Sequence, residues 1–207
     1  MGPHNNRPAT AHQPSILILA AGASSRMRGG DKLLEQVDGQ PQIRRAALAA
    51  LSTGLSVWVA LPPDRPARRS ALVDLPLTLL TVGDAAKGMA APIRAGLAAL
   101  PPGPLLILLA DLPEITGADL SQLIVAFATE PGLIHRATAA EGQPGHPVIF
   151  PDWARPALAQ VEGDSGARDL LRAEAARTRL TALPGRHATT DLDTPEDWAV
   201  WRAAQTP

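Results

Sequence analysis

The sequence contains no cysteine and no tyrosine. The first absence excludes disulfides, thiolate metal sites, iron–sulfur clusters and a cysteine nucleophile. The second, with aromatic residues at only 3%, leaves no stacking platform for single-stranded nucleic acid. An excess of charge is lacking too. Lys plus Arg number 19 against 20 Asp plus Glu, a net charge of −1 over 207 residues. That balance argues against a surface built around nucleic-acid phosphates or an anionic membrane. No stretch reaches the roughly 18 consecutive apolar residues of a membrane helix. The first fourteen residues carry Pro3, Pro8, Pro14, Asn5 and Asn6 but no apolar run. They read as a disordered tail rather than a signal peptide, with His4 and His12 solvated rather than metal-bound. With neither signal, the cytoplasm is the expected location.

What is present is a chain 45% hydrophobic, long enough to bury a core without staples. It shows no internal repeat and no interior linker, so one domain is expected over residues 15–207. Short apolar runs alternate with helical periodicity. Strands are expected at Ile16–Ala20, Leu55–Leu61, Leu75–Val82, Leu105–Leu109, Leu133–Ala139, Val148–Phe150 and Leu180–Leu183. Ile16–Ala20 and Leu105–Leu109 have the unbroken apolar character of strands buried on both faces. Helices are expected at 41–53, closed by Gly54, and at 66–73, around 93–100, and at 117–129, 153–161, 167–176 and 195–204. Thr194 is the N-cap of the last, with Asp197 at its third position. Such alternation predicts an α/β protein with a mainly parallel sheet and helices on both faces. Ligands in such sheets sit beyond the carboxyl ends of the strands. The loops at 20–32, 61–65, 83–92 and 110–114 are therefore where a site is expected.

Residues 19–32 read LAAGASSRMRGGDK. This is neither G-x-G-x-x-G nor a Walker A loop, since Lys32 is followed by Leu33. The ingredients of phosphate binding are nevertheless there. Gly22 ends a buried strand and lets backbone approach a ligand. Small residues follow whose N–H groups can form an anion nest. Arg26 supplies a planar fork and Lys32 a mobile point charge. Taken singly, either cation could be a solvated surface residue, and Arg28 is the weaker third. The cluster Arg65, Arg68 and Arg69 reads as a solvated helix face. Asp111 ends the most apolar strand, at the edge where this fold presents ligands; alone, it could be a turn residue bonding its own backbone. Asp191 and Asp193 lie two apart before the last helix, so in extended chain both point one way, although an acidic residue there also suits the helix dipole.

LAAGASSRM with a following Gly and Lys resembles the opening signature of the MobA-like nucleotidyltransferases, whose best-known members attach CMP or GMP to molybdopterin. GMAAPIRAGL (88–97), LADLP (109–113), GHPVIF (145–150), GDSGARDLL (163–171) and DLDTPEDW (191–198) agree in the same order, so the resemblance spans almost all of 15–202. It implies a three-layer α/β/α, Rossmann-like fold of the nucleotide-diphospho-sugar transferase type. It also implies transfer of a nucleotide from an NTP to a phosphomonoester, with release of diphosphate. In this resemblance Asp111 holds a catalytic Mg²⁺ and Asp193, backed over Asp191, completes the metal site. Arg26 and Lys32 grip the triphosphate, with Leu19, Ala20, Ala21, Gly22, Ser24, Gly88 and Met89 lining the nucleotide pocket. Pro92 stands where the family usually has Ser, which removes a hydroxyl contact.

The acceptor side would include His146, equally readable as a capping or packing residue in a constrained turn. Asp164, Ser165 and Arg168 belong there too, or Asp164 and Ser165 cap helix 167–176. GHPV and GDSGAR favour the cytidylyltransferase branch, as does Ala21, whose methyl narrows the base pocket. CTP and a molybdopterin-type cofactor are thus the expected substrates, and a molybdoenzyme a possible recipient. The alternatives are a guanylyl or sugar-nucleotide transferase of the same fold, or a non-catalytic carrier of the molybdenum cofactor.

Overall fold

Ile16, Leu17 and Ile18 are fully buried, and so are Leu105, Leu106 and Leu108. Two adjacent strands with no exposed face need a layer on each side, and the rest of the chain supplies it. The computed structural model describes residues 13–83, 88–163 and 166–205. Its elements are β1 (Ser15–Leu19), β2 (Gln36–Val37), β3 (Gln40–Pro41), α1 (Gln42–Leu51), β4 (Val57–Leu61), α2 (Pro66–Ser70), β5 (Thr78–Thr81), α3 (Ala90–Ala99) and β6 (Leu105–Leu109). There follow α4 (Gly117–Thr129), β7 (Ile134–Thr138), β8 (Pro144–Phe150), α5 (Arg155–Leu158), α6 (Arg168–Ala173), β9 (Thr178–Ala182) and α7 (Pro195–Gln205).

Seven strands form one sheet in the order β5-β4-β1-β6-β8-β7-β9. All run the same way except β8, which is antiparallel to both β6 and β7. The mainly parallel α/β sheet is as the periodicity predicts. Alternate residues of the central strands feed two cores. Ile16, Ile18, Leu106 and Leu108 pack with Ile43 of α1 and Leu120, Leu123 and Phe127 of α4. Leu17, Leu19, Leu105 and Ile107 pack with Ile93 of α3 and Leu158 of α5. α3 comes very near β1 at Gly96, where a Cβ would lie 2.4 Å from a Leu17 methyl.

The chain winds outward from β1 through β4 to β5, then returns to β1's other side with β6. The order reverses between β1 and β6, so a crevice opens at their carboxyl ends. β8 runs the other way, so its first residues reach the same edge.

Several boundaries differ from the sequence reading. The helix expected around 93–100 starts at Ala90, with Pro92 as its third residue, where a missing N–H costs nothing. Helices 153–161 and 167–176 shorten to α5 and α6, each flanked by 3₁₀ turns. β8 takes in Pro144, Gly145, His146 and Pro147, which the sequence suggests as a turn. Pairing of β8 with β6 begins only at Val148, and the β7 ladder slips between Arg136 and Thr138. The prolines thus fall where the ladder asks little of them. The expected tail at 1–14 lies almost wholly outside the described residues, as do His4, His12, Asp164 and Ser165. Among the described residues no helix is long and apolar enough to cross a membrane.

Candidate active site

Lys32 occupies the centre of the crevice. Its ammonium lies 2.6 Å from an oxygen of Asp111, 2.6 Å from Asp193 and 3.4 Å from Asp191, with only 14% of the side chain exposed. Arg26 reaches the second oxygen of Asp193 from the solvent side. Three elements supply this cluster: the loop after β1, the end of β6, and the segment before α7. Asp191 and Asp193 both face Lys32, as two residues in extended chain should. Arg28 is exposed and pairs with Glu196 at 2.8 Å, away from the cluster.

Burial alone would lower the pKa of Lys32, but Asp111, Asp193 and Asp191 outweigh it and hold it well above the usual value. Lys32 is therefore a permanent cation. The Asp191 pKa is raised as well, up to about 6, but here the rise disfavours the charged form: the carboxyl is desolvated and sits beside the charges of Asp111 and Asp193, with Lys32 only partly offsetting them.

A cavity of about 440 Å³ lies over the cluster, lined by Leu19, Ala21, Gly22, Ser24, Arg26, Lys32, Gly88, Met89, Pro92, Asp111, Asp191 and Asp193 among others. Of the residues expected to line a nucleotide pocket, Ala20 alone does not. It is buried beneath the loop, and its carbonyl accepts from Arg68. A second cavity, also about 440 Å³, adjoins the first and shares Leu19, Met89, Leu109 and Asp191 with it. Its polar lining includes Arg136, His146 and Arg168. A larger cavity of about 790 Å³ lies behind α7. There Arg45 pairs with Asp38, Arg202 with Glu35 and His187 with Asp119.

A family model described as the MobA-like NTP transferase domain matches residues 16–179. This chain belongs to the MobA-like NTP transferase family. It is thereby placed among the nucleotidyltransferase enzymes. A probable molybdenum cofactor guanylyltransferase of Synechococcus elongatus is 32% identical over 192 residues, covering 89% of this chain and 95% of its own. Nicotine blue oxidoreductase of Paenarthrobacter nicotinovorans is 30% identical over 189 residues, covering 87% and 92%. Among solved structures, Rv0371c from Mycobacterium tuberculosis H37Rv superposes with a TM-score of 0.81 at 27% identity, over 92% of this chain and 97% of that one. A manganese complex of Rv0371c matches with a TM-score of 0.75 at 24% identity, over 91% and 97%.

The residues of this MobA-like transferase fit a divalent cation. Three carboxylates face two cations, which leaves a negative excess. Oδ1 of Asp111 is buried with no hydrogen-bond partner. Among the described residues no three His, Asp or Glu side chains form a ready-made metal cage. Asp111 and Asp193 could supply the one or two carboxylates that an ion such as Mg²⁺ takes, the rest of its shell coming from phosphate and water.

Other contacts in this family member hold the cluster in register, and the sequence reading missed them. Gln42, fully buried at the start of α1, donates to the Ala110 carbonyl at 2.9 Å. Glu114 accepts from Thr190 at 3.0 Å and from the Trp201 indole at 2.9 Å, tying the loop after β6 to the segment bearing Asp191 and Asp193. Met27, within the signature loop, packs with Val37, Leu192 and Trp198 and anchors α7 on it. The only sequence signal was that Met27 and Trp198 are apolar residues in otherwise polar stretches.

The solvated arginine face is overturned at Arg68, while Arg69 is exposed as expected and Arg65 half-buried. Arg68 has 0% of its side chain exposed and forms a buried pair with Asp31. Burial by itself would raise the Asp31 pKa, yet the guanidinium holds that carboxyl below the usual range. Arg65 donates to the Ala23 carbonyl at 2.9 Å and Arg69 to Thr81 at 2.9 Å. Of the three, Arg68 alone is buried, beneath the loop that follows β1; Arg69 remains exposed.

His146 has a buried Nδ1 without a partner. Burial, then the nearby Arg136 charge, push its pKa down to about 4. The folded state keeps this imidazole neutral where an unfolded one, near 6.5, takes up a proton. Between those values the unfolded state binds more protons, so stability contributed by His146 is lost as pH falls from about 6.5 toward 4. Urea midpoints should therefore fall over this window in the native protein and fall less steeply in His146→Gln. Parallel pH profiles for the two proteins would refute that assignment.

Proposed function

We propose that this protein transfers CMP from CTP to the phosphate of a molybdopterin-type cofactor, with Mg²⁺ as the metal and diphosphate as the second product. The reading is carried by one observation. Arg26, Lys32, Asp111 and Asp193 converge in the first cavity, which adjoins a second. Joining two polyanions requires that kind of arrangement. The acceptor phosphomonoester has a second pKa of about 6, so near pH 7 it is already mostly a nucleophilic dianion, and no general base is called for. What must be supplied is positive charge and alignment.

Arg26 and Lys32 bind the triphosphate, with Arg26 nearer the α- and β-groups. Lys32 exchanges carboxylate partners for phosphate oxygens as substrate enters. Asp111 and Asp193 would hold the cation, which would offset charge on the reacting phosphate and the departing diphosphate. Gly88 and Met89 flank the nucleoside. Arg136 and Arg168 in the adjoining cavity offer charge to an anionic acceptor. The neutral His146 offers a polar contact there; with a pKa of about 4 it is a poor base at neutral pH. Handover of the product to a molybdoenzyme and a cytoplasmic setting, where nucleoside triphosphates are available, complete the reading.

CTP preference rests on Ala21, buried in the cavity wall, whose methyl narrows the space for a purine. Transfer of GMP is the second reading, favoured by the likeness to a probable guanylyltransferase. Competition decides between them. With Mg²⁺, molybdenum cofactor and equal CTP and GTP, the cytidylyl adduct should dominate. Ala21→Gly should move the ratio toward GTP by about tenfold, the scale of one methyl group in a pocket. Predominance of the guanylyl adduct in the native protein would replace the first reading with the second.

A further inference from the structure

The Arg68 guanidinium serves four bonds at once. Its Nε donates to Asp31 at 2.7 Å and its Nη1 to the Ala20 carbonyl at 2.7 Å. Its Nη2 donates to Asp31 at 2.9 Å and to the Ser24 hydroxyl at 3.0 Å. Those partners mark the beginning, the bend and the end of the signature loop. Ser24 sits in left-handed backbone, φ 52°, although it is not glycine, so the bend needs holding. The Ser24 hydroxyl also donates to Asp31 at 3.2 Å. Asp31 in turn accepts from the Leu33 N–H at 3.1 Å and caps the short turn that begins at Lys32. One buried side chain thereby decides where the Lys32 turn starts.

We propose that Arg68 is a positioning residue for nucleotide transfer. It lines neither cavity of the crevice, yet it fixes the loop path that sets Arg26 and Lys32 against Asp111 and Asp193. This rests on the reading of that loop as the triphosphate cradle. Arginine is required because its fork serves four oxygens from three residues at once, which a lysine point charge cannot do.

Arg68→Met alone leaves Asp31 buried and unpaired and is expected to fold poorly. The informative variant is therefore Arg68→Met with Asp31→Asn, in which neither buried charge remains. Its urea midpoint should stay near that of the native protein, while kcat falls about a hundredfold and KM for the nucleotide rises. A merely structural role lowers the folded fraction and leaves KM unchanged. Calorimetric binding of Mg·CTP and Mg·GTP gives a readout independent of turnover, and should weaken in step. Native kcat and nucleotide affinity in the folded double variant overturn the proposal. Should that variant not fold, Arg68→Lys decides. A folded protein with about tenfold lower kcat/KM supports the proposal, and full activity overturns it. Arg26→Ala and Lys32→Ala separate this from the underlying reading. If they leave nucleotide binding intact, the cradle itself is wrong; if they weaken it while the Arg68 variants do not, only the role of Arg68 is.

Discussion

Replacing Asp111 by Asn should lower turnover by about three orders of magnitude, while the protein keeps its fold and its grip on the acceptor. Asn is nearly isosteric, so packing at the end of β6 is preserved. What disappears is one negative charge beside a buried oxygen that has no hydrogen-bond partner. In the native protein that oxygen has no partner, and the stabilisation of transition-state charge by a bound metal would be worth several kcal/mol; at 1.36 kcal/mol per decade this is about a thousandfold in rate. Stability should hold or rise slightly, because Asp111, Asp191 and Asp193 repel one another and Lys32 retains two carboxylate partners. The measurements are product formation with Mg²⁺, nucleotide and molybdenum cofactor, and cofactor binding by the same variant. Turnover within tenfold of the native rate sinks the metal assignment. A non-catalytic carrier would be indifferent to the substitution, so the same experiment separates an enzyme from a carrier.

Gly145→Ala should destabilise the fold by about 3 kcal/mol, the upper range for forcing an extra carbon into packed structure. A Cβ at this position would stand 1.9 Å from the Ala188 carbonyl oxygen and 2.7 Å from its carbon. Both are backbone atoms and cannot swing aside. The adjacent bond from the His146 N–H to that carbonyl, 2.9 Å, would have to stretch or break. Two strands of chain are pressed together here because residues 183–194 cross the sheet edge to bring Asp191 and Asp193 to Lys32. For a domain of this size the melting temperature should drop by about 6–12 °C. Residual activity should fall as well, since His146 and the acidic segment move apart. A melting temperature within about 2 °C of native would mean that the crossing segment yields more easily than its backbone contacts imply.

How much of this was legible in advance differs by element. β1 and β6 were, because strands buried on both faces must be apolar throughout. α4 and α7 were, because their periodicity and caps are local; Thr194 accepts from the Asp197 N–H at 3.1 Å as an N-cap should. The β2–β3 hairpin was not, although Asp38 and Gly39 carry the positive φ of a tight two-residue turn. Its strands are two residues each, too short for alternation to register. β8 was truncated because two prolines and a glycine mimic a turn. Arg68 was misread because its segment, Pro66–Ser70, makes a single short helix with charged neighbours. Nothing within that helix reveals that Arg68 is buried beneath the loop that follows β1.

By itself the sequence determined the alternating α/β order, the central apolar strands and the loops at which charge would gather. Each follows from interactions within a few residues: side-chain period, capping, and turn chemistry. Only the tertiary structure decided that Lys32 meets carboxylates about 80 and 160 residues away, that Arg68 is swallowed beneath the loop, and that a return crossing pins Gly145. Those outcomes depend on which strand neighbours which and on how closely backbones approach. Packing settles them across the whole chain, and no local pattern encodes them.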